Sequence, residues 1–167
     1  MFENTFFKDF KAAQGMAELY SKWQNKGVQF HFVSSSPWQL YKPLIDFFHH
    51  EKFPSGTLHL KYVRLKDRTF FNLFKKGTET KPKLIEALLA RYPKRKFVLV
   101  GDSGEQDPEV YCSILKKYPK QILKIYIRNA TEEVSKNNRF KNVFRDIPSN
   151  KWKLFKNPQT SGLSIEE

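Results

Sequence analysis

Acidic residues cluster in one short stretch, GDSGEQDPE, which directly follows the apolar run FVLV. Asp102, Glu105 and Asp107 fall within it, and its two glycines permit tight turns. Carboxylates at the end of a buried strand are the ligands that Mg²⁺ prefers, usually one or two of them together with water and substrate phosphate. Asp107 precedes Pro108, so capping a helix is its alternative role. We predict that Asp102 and Asp107 are metal ligands.

Hydroxyl and ammonium groups occupy two further positions suited to binding phosphate. Three serines follow the alternating segment VQFHFV, and a hydroxyl at a strand end can hold a phosphate oxygen. Ser36 is explained as the N-cap of a helix beginning at Pro37, which leaves Ser34 as the candidate. Lys81 lies at the expected N-terminus of a helix over 82–92. A cation there interacts unfavourably with the helix dipole, at a cost of about 0.3–1 kcal/mol. That placement hints at a bound anion, with an ordinary solvated lysine as the alternative.

The charge of the chain is strongly basic. It has 30 Lys and Arg against 17 Asp and Glu, a formal net charge of +13. Residues 61–96 hold 12 of the basic residues and 3 of the acidic ones. Such a field attracts nucleic acid, anionic membranes or phosphorylated substrates, while a solvated basic surface is the alternative. The single cysteine, Cys112, excludes an intramolecular disulfide and a cysteine-based zinc cage.

The elements that must position these residues alternate between strand and helix. Apolar periodicity predicts strands over 28–33, 57–63, 96–100 and 122–128. It predicts helices over 11–26, 82–92 and 108–118, and a further helix that begins at 37 and ends near the turn signal at 53–56. This pattern is typical of an α/β fold with a parallel sheet, whose ligands lie beyond the carboxyl ends of the strands. The positions of interest are therefore 34–36, 64–81, 101–107 and 128–129. With 167 residues and no apolar run of about 18 residues, the chain is expected to be one domain without a spanning helix.

Two stretches, FHFVSSSPWQLY and FVLVGDSGEQDPEVY, resemble the catalytic domain of the actin-patch-type phosphatidate phosphatases, a branch of the haloacid dehalogenase superfamily. The segments IYIR and WKLFKNP fit the same family, so the resemblance covers roughly 11–160. It implies a Rossmann-like fold and a Mg²⁺-dependent phosphomonoesterase acting on phosphatidic acid through an aspartyl-phosphate. It also implies that Ser34 binds phosphate, that Lys81 neutralises it, and that Asp102 and Asp107 hold the metal.

One part of the family pattern is missing. The family's first motif is an Asp-x-Asp-x-Thr on a central strand, and no Asp-x-Asp occurs in these 167 residues. We therefore expect an N-terminally incomplete enzyme that lacks its central first strand and is inactive as given. A stand-alone remnant is the alternative. Residues 1–128 are expected to form the phosphatase domain, and 129–167 a wrapping segment and tail of the same domain.

The expected partners follow from the charge and the resemblance. They are phosphatidic acid or another phosphomonoester, with peripheral contact to an anionic membrane and a cytoplasmic location. A rival interpretation is a non-enzymatic basic module that binds anionic membrane or nucleic acid, based on the mixture of Phe with Lys and Arg in 61–76 and 136–156. Nucleic acid is the less expected ligand because no recognised nucleic-acid motif is present.

Overall fold

The structure is a computed structural model that describes residues 12–61, 77–129 and 138–166. The chain divides into two compact units, Met1–Gly77 and Thr78–Glu167. The end of the predicted second strand and the aromatic, basic stretch that follows it, 62–76, lie outside the described residues. Each unit has its own parallel sheet and is described by itself.

The first unit builds a two-stranded sheet. Its elements are α1 (Met16–Asn25), β1 (Phe30–Pro37), a 3-10 turn (Trp38–Leu40), α2 (Tyr41–His50) and β2 (Gly56–Lys61). The strands β1 and β2 are parallel and are paired from Phe30 opposite Gly56 to Pro37 opposite Lys61, with an irregularity between Val33 and Pro37. Parallel strands joined through a helix are the arrangement that the alternating pattern predicted.

Aromatic rings fill one face of this sheet. The Phe32 ring stacks on the Phe48 ring of α2 at 4.5 Å between centroids, and Tyr20 of α1 lies 5.0 Å from Phe30. Gly56 allows the strands to approach, because a Cβ there would lie 2.7 Å from the carbonyl oxygen of Phe30. Side chains alternate along a strand, so the neighbouring residues of β1 lie on the opposite face.

One prediction for the first unit is wrong. Ser36 does not cap a helix, because β1 continues through the three serines to Pro37 and α2 begins at Tyr41. Pairing with β2 carries the extended backbone past the position where the Ser-Pro signal predicted a helix start. Tyr41, the first residue of α2, is 53% exposed, whereas Leu44 of the same helix is buried.

The second unit builds a three-stranded parallel sheet in the order β3-β4-β5. Its elements are α3 (Gly77–Arg91, beginning at the last residue of the first unit), β3 (Phe97–Asp102), α4 (Asp107–Lys117), β4 (Ile122–Arg128), α5 (Arg139–Val143), a 3-10 turn (Ser149–Lys151) and β5 (Trp152–Phe155). The predicted strand and helix at 122–128 and 108–118 agree with β4 and α4 to within a residue. The parallel sheets and packed helices confirm the α/β fold class. The missing central strand and the boundary at residue 128 remain predictions.

The core of the second unit is centred on β4. Ile122, Ile125 and Ile127 are fully buried, and α3 and α4 supply further buried side chains: Ile85, Leu88, Leu89, Ile114 and Leu115. The apolar strand over 96–100 was expected to be buried, and this is wrong, because only Leu99 of β3 is buried. The reason is its place at the edge of the three described strands, which leaves one side without a partner strand there.

Helix α3 begins five residues earlier than predicted. Lys81 therefore lies inside the helix, and Pro82, taken as a first helical residue, lies in its interior. An interior proline removes one backbone hydrogen bond of the helix, which the packing of α3 must offset. None of the helices in the described ranges is long and apolar enough to cross a membrane.

Candidate active site

A buried lysine connects α3 with the loop between β3 and α4. Lys81 is 8% exposed, and its Nζ donates hydrogen bonds to a carboxylate oxygen of Asp107 and, over 2.9 Å, to Oε2 of Glu105. Asp107 is 5% exposed. A buried charge is tolerated only when it is paired and hydrogen-bonded, so Lys81 and Asp107 each require the other.

The first turn of α4 lies close against the end of β3. The second carboxylate oxygen of Asp107 accepts a hydrogen bond from the backbone N–H of Asp102 over 3.0 Å. Tyr111 donates its hydroxyl proton to the carbonyl oxygen of Val100 over 3.1 Å. Gly101 makes this approach possible, because a Cβ there would lie 2.6 Å from the Tyr111 ring and 2.7 Å from Cβ of Asp107. Asp107 thus holds the start of α4 against the end of β3. Gln106 occupies the N-cap position of α4, and its side chain makes no capping hydrogen bond.

Asp102 pairs with the neighbouring strand. It lies opposite Arg128 in the register of β3 and β4. Oδ2 of Asp102 accepts two hydrogen bonds from Arg128, from Nε at 2.9 Å and Nη2 at 2.6 Å. Oδ1 accepts the backbone N–H of Gly104 at 2.8 Å. These contacts fix the Asp102 carboxylate at the carboxyl end of the sheet, which is where ligands of parallel sheets bind.

An arginine from α5 holds the loop between β3 and α4. Arg139 donates from Nη1 to the carbonyl oxygen of Ser103 and from Nη2 to that of Glu105, both at 2.8 Å. It also makes two hydrogen bonds of 2.7 Å with the carboxylate of Glu109. A planar guanidinium with a fork of donors suits this set of contacts, which a lysine could not reproduce.

The site shifts the pKa values of its charged groups. Burial lowers the pKa of Lys81, but the charges and hydrogen bonds of Asp107 and Glu105 outweigh it, and the pKa is raised. Burial raises the pKa of Asp107, and Lys81 opposes this only in part. Hydrogen bonds from Arg139 lower the pKa of Glu109. Shifted carboxyl and ammonium groups at the carboxyl end of a sheet are typical of a functional site.

Oxygen atoms of the type that divalent cations bind gather at this end of the sheet. Mg²⁺ commonly takes one or two protein carboxylates, and an ionised carboxylate has about four lone-pair positions. Asp102 and Asp107 supply two such groups. In addition, Oδ1 of Asn129 is buried without a hydrogen-bond partner in the described part of the chain, directly after Arg128. Within the described ranges no group of three or more His, Cys, Asp and Glu is placed to hold a metal.

Three of the four predicted site residues come together in the second unit. Asp107 joins Lys81 to the backbone of Asp102, and the roles predicted for these three residues remain predictions. Ser34 lies in the first unit, in the second half of β1. Its Oγ accepts the backbone N–H of Ser36 over 3.1 Å and donates to the hydroxyl oxygen of that residue over 3.0 Å.

Three charged residues of the site were not predicted from the sequence. Glu105 was noted in the acidic stretch without a role, and Arg128 was among the positions of interest at a strand end but was given no role. Arg128 could have been identified because it is a basic residue at the end of one strand, and the neighbouring strand ends in a carboxylate, Asp102. Nothing local marked Arg139, because its contacts lie at least 30 residues away in the sequence.

Comparison with known proteins agrees with this arrangement. The family model described as "Phosphatidate phosphatase APP1, catalytic domain" matches residues 1–129. Phosphatidate phosphatase APP1 of Saccharomyces cerevisiae is 34% identical over 138 residues, which is 81% of this chain and 23% of that protein. An uncharacterized protein of Schizosaccharomyces pombe is 30% identical over 120 residues, 72% of this chain and 20% of that protein.

The chain thus spans less than a quarter of the length of these two relatives. No solved structure gives a significant match. The family model covers more than half of the chain, including Lys81, Asp102 and Asp107. The chain therefore belongs to the family of phosphatidate phosphatase APP1 catalytic domains.

Proposed function

We propose that this chain provides the phosphate- and metal-binding part of a phosphatidate phosphatase, which releases phosphate from phosphatidic acid to leave diacylglycerol. One observation carries the proposal: the buried Lys81–Asp107 pair hydrogen-bonded to Asp102, in a segment that matches a phosphatidate phosphatase family. The rival, a basic module that binds membrane or nucleic acid without catalysis, is not favoured, because the family match is to a catalytic domain.

Each charged group has a role suited to a phosphate monoester. Asp102 and Asp107 would hold Mg²⁺, which when bound would reduce the repulsion between the anionic substrate and an anionic nucleophile. Lys81 would neutralise phosphate oxygens. Ser34 of the first unit keeps the phosphate-binding role that the resemblance implies, with its hydroxyl as the donor. Phosphoryl transfer depends mainly on such positioning and charge stabilisation. These four assignments belong to the proposal.

The nucleophile is assigned to another segment. The resemblance implies an aspartate from an Asp-x-Asp motif, and no such pair occurs among these 167 residues. We therefore assign attack on phosphorus and protonation of the leaving oxygen to polypeptide outside this sequence. Binding the phosphate and setting its charge remain with Lys81, Asp102 and Asp107.

The excess of basic residues would bring the site to its lipid. An anionic membrane attracts a protein by about 1 kcal/mol for each Lys or Arg near its surface. The net charge of residues 61–96 is +9, counted from 12 basic and 3 acidic residues. Peripheral contact with anionic membranes is therefore part of the proposal.

The test is a chimera. The stretch of the Saccharomyces cerevisiae relative that aligns with this chain is replaced by the residues of this chain, and phosphate release from phosphatidic acid is measured with Mg²⁺ or with excess chelator. We expect Mg²⁺-dependent release by the chimera and none by the 167-residue chain alone. A folded chimera with no activity would contradict the proposed function, and so would release by the chain alone through its own residues.

A further inference from the structure

Two histidines and a threonine meet on the face of the first sheet opposite the aromatic core. His31 of β1 lies opposite Thr57 of β2 in the register, and His59 follows two residues later on β2. Positions two apart on a strand share a face, so all three side chains lie on the same side. None of them belongs to the site proposed above.

The polar atoms of these residues converge on one another. Nδ1 of His31 lies 2.6 Å from Oγ1 of Thr57 and 3.2 Å from Nε2 of His59, and Oγ1 of Thr57 lies 2.9 Å from the same nitrogen. The His31 and His59 rings are 5.4 Å apart between centroids. Contacts of this length are hydrogen bonds among the three side chains, and they bring two imidazole nitrogens together on one face of the sheet.

The separation of the two nitrogens suits a metal ion. Zinc binds imidazole nitrogen at about 2.0–2.1 Å, so two ligands of a tetrahedral ion lie about 3.3 Å apart. The observed 3.2 Å is close to this value. Oγ1 of Thr57 lies at hydrogen-bond distance from both nitrogens, closer than a ligand of the same tetrahedral ion would, so Thr57 would have to move away from them to serve as a third ligand.

The donor types select the class of metal. Imidazole nitrogen suits zinc, copper, nickel and iron, whereas Mg²⁺ prefers oxygen ligands. A metal ligand must be a neutral imidazole. Burial lowers the pKa of His31, which keeps this ring neutral at and somewhat below the pH where a free histidine takes up a proton.

We propose that His31 and His59, with the hydroxyl of Thr57 as a weaker third ligand, form a binding site for one zinc ion. The site would tie β1 to β2 on the face that lacks the aromatic packing. Two imidazoles provide fewer strong ligands than the four of a structural zinc site, so the binding is expected to be reversible.

The first experiment titrates the full 167-residue chain with ZnCl₂ at pH 7.5 by isothermal calorimetry. We expect one saturable site per chain, at least tenfold weaker binding in H31Q and in H59Q, and little effect of a large excess of Mg²⁺. The chain has four histidines, so H49Q/H50Q is the matched control. His49 and His50 are adjacent on α2, point in different directions, and are expected to leave the affinity unchanged.

A second measurement needs no variant. In the unmodified chain, nitrogen NMR of the imidazole rings reports which ring nitrogen changes on adding Zn²⁺. We expect changes at Nδ1 of His31 and Nε2 of His59, and none of comparable size at His49 or His50. The proposal is overturned if no saturable zinc binding is found, or if the changes are at His49 and His50 instead.

Discussion

Lys81 is the residue on which the buried charge of the site depends. It is the cation paired with Asp107, and both side chains are almost fully buried. Removing one partner of such a pair leaves an uncompensated charge, which costs about 3–5 kcal/mol. We expect K81M to lower the free energy of unfolding by about 3 kcal/mol at pH 7, measured by urea denaturation. Lys83 is exposed on the same helix, so K83M should change it by less than about 0.5 kcal/mol.

The effect of K81M should depend on pH through Asp107. Burial holds the pKa of Asp107 above its ordinary value, and without Lys81 it rises further. A carboxyl group whose pKa is raised on folding favours the folded state below its unfolded pKa and loses that contribution as pH rises through the folded pKa. The difference between K81M and the unmodified chain should therefore be largest at pH 7–8 and shrink as pH falls towards about 4. A pH-independent difference would contradict the assignment of Asp107 as the unpaired charge.

The sequence identified those site residues whose position follows from the residues next to them in the chain. Asp102 and Asp107 follow an apolar strand, so their placement at the end of β3 could be predicted. Lys81 was found for a wrong reason, since it does not lie at a helix N-terminus. Arg139 could not be found, because only tertiary packing brings α5 to the loop after β3.

The contact between β3 and α4 depends on a position without a side chain. A Cβ at Gly101 would enter the space of the Tyr111 ring and the Asp107 carboxylate. At Gly104 it would meet only Oδ1 of Asp102, at 3.1 Å. Overpacking costs about 1–3 kcal/mol. We expect G101A to destabilise the chain by about 2–3 kcal/mol and G104A by clearly less, both measured by thermal denaturation; equal effects would contradict the close packing of α4 on β3.

Helix α5 should stabilise the site loop through Arg139. The pKa of Glu109 is lowered by Arg139, so this pair contributes stability above the ordinary pKa of Glu109 and loses it as pH falls through the lowered value. Arg139 is partly exposed, so R139A should cost about 1–2 kcal/mol near neutral pH. The cost should become smaller below about pH 4, leaving the share due to the two carbonyl contacts. If R139K restored full stability, the fork of donors would not be the cause.

Element types were predicted better than element ends. Periodicity predicted the elements from α1 to β4 in the right order, since burial of one face fixes each period. Helix α5 and strand β5 were not predicted, because the segment 129–167 was expected to be a wrapping segment and tail. The starts of α2 and α3 were wrong because a proline was read as a first helical residue in both cases. Pairing of β1 with β2 and packing of α3 outweighed that local preference.

For the whole molecule, the net charge of +13 predicts long-range attraction to anionic surfaces. We expect the chain to bind vesicles containing phosphatidic acid more tightly than vesicles of phosphatidylcholine alone. The affinity should fall steeply between about 0.05 M and about 0.5 M salt, because salt screens exposed charges. Sedimentation with vesicles measures this. Tighter binding to duplex DNA than to phosphatidic acid would support the basic module instead.

The most direct test of the account is the metal dependence of the chimera with one carboxylate removed. We predict that D102N reduces Mg²⁺-dependent phosphate release from phosphatidic acid by at least a hundredfold. D46N, which removes an exposed carboxylate paired only with Lys42 among the described contacts, should leave it unchanged. Full activity of the D102N chimera would contradict the claim that the carboxylates after β3 form the metal-binding part of a phosphatase site.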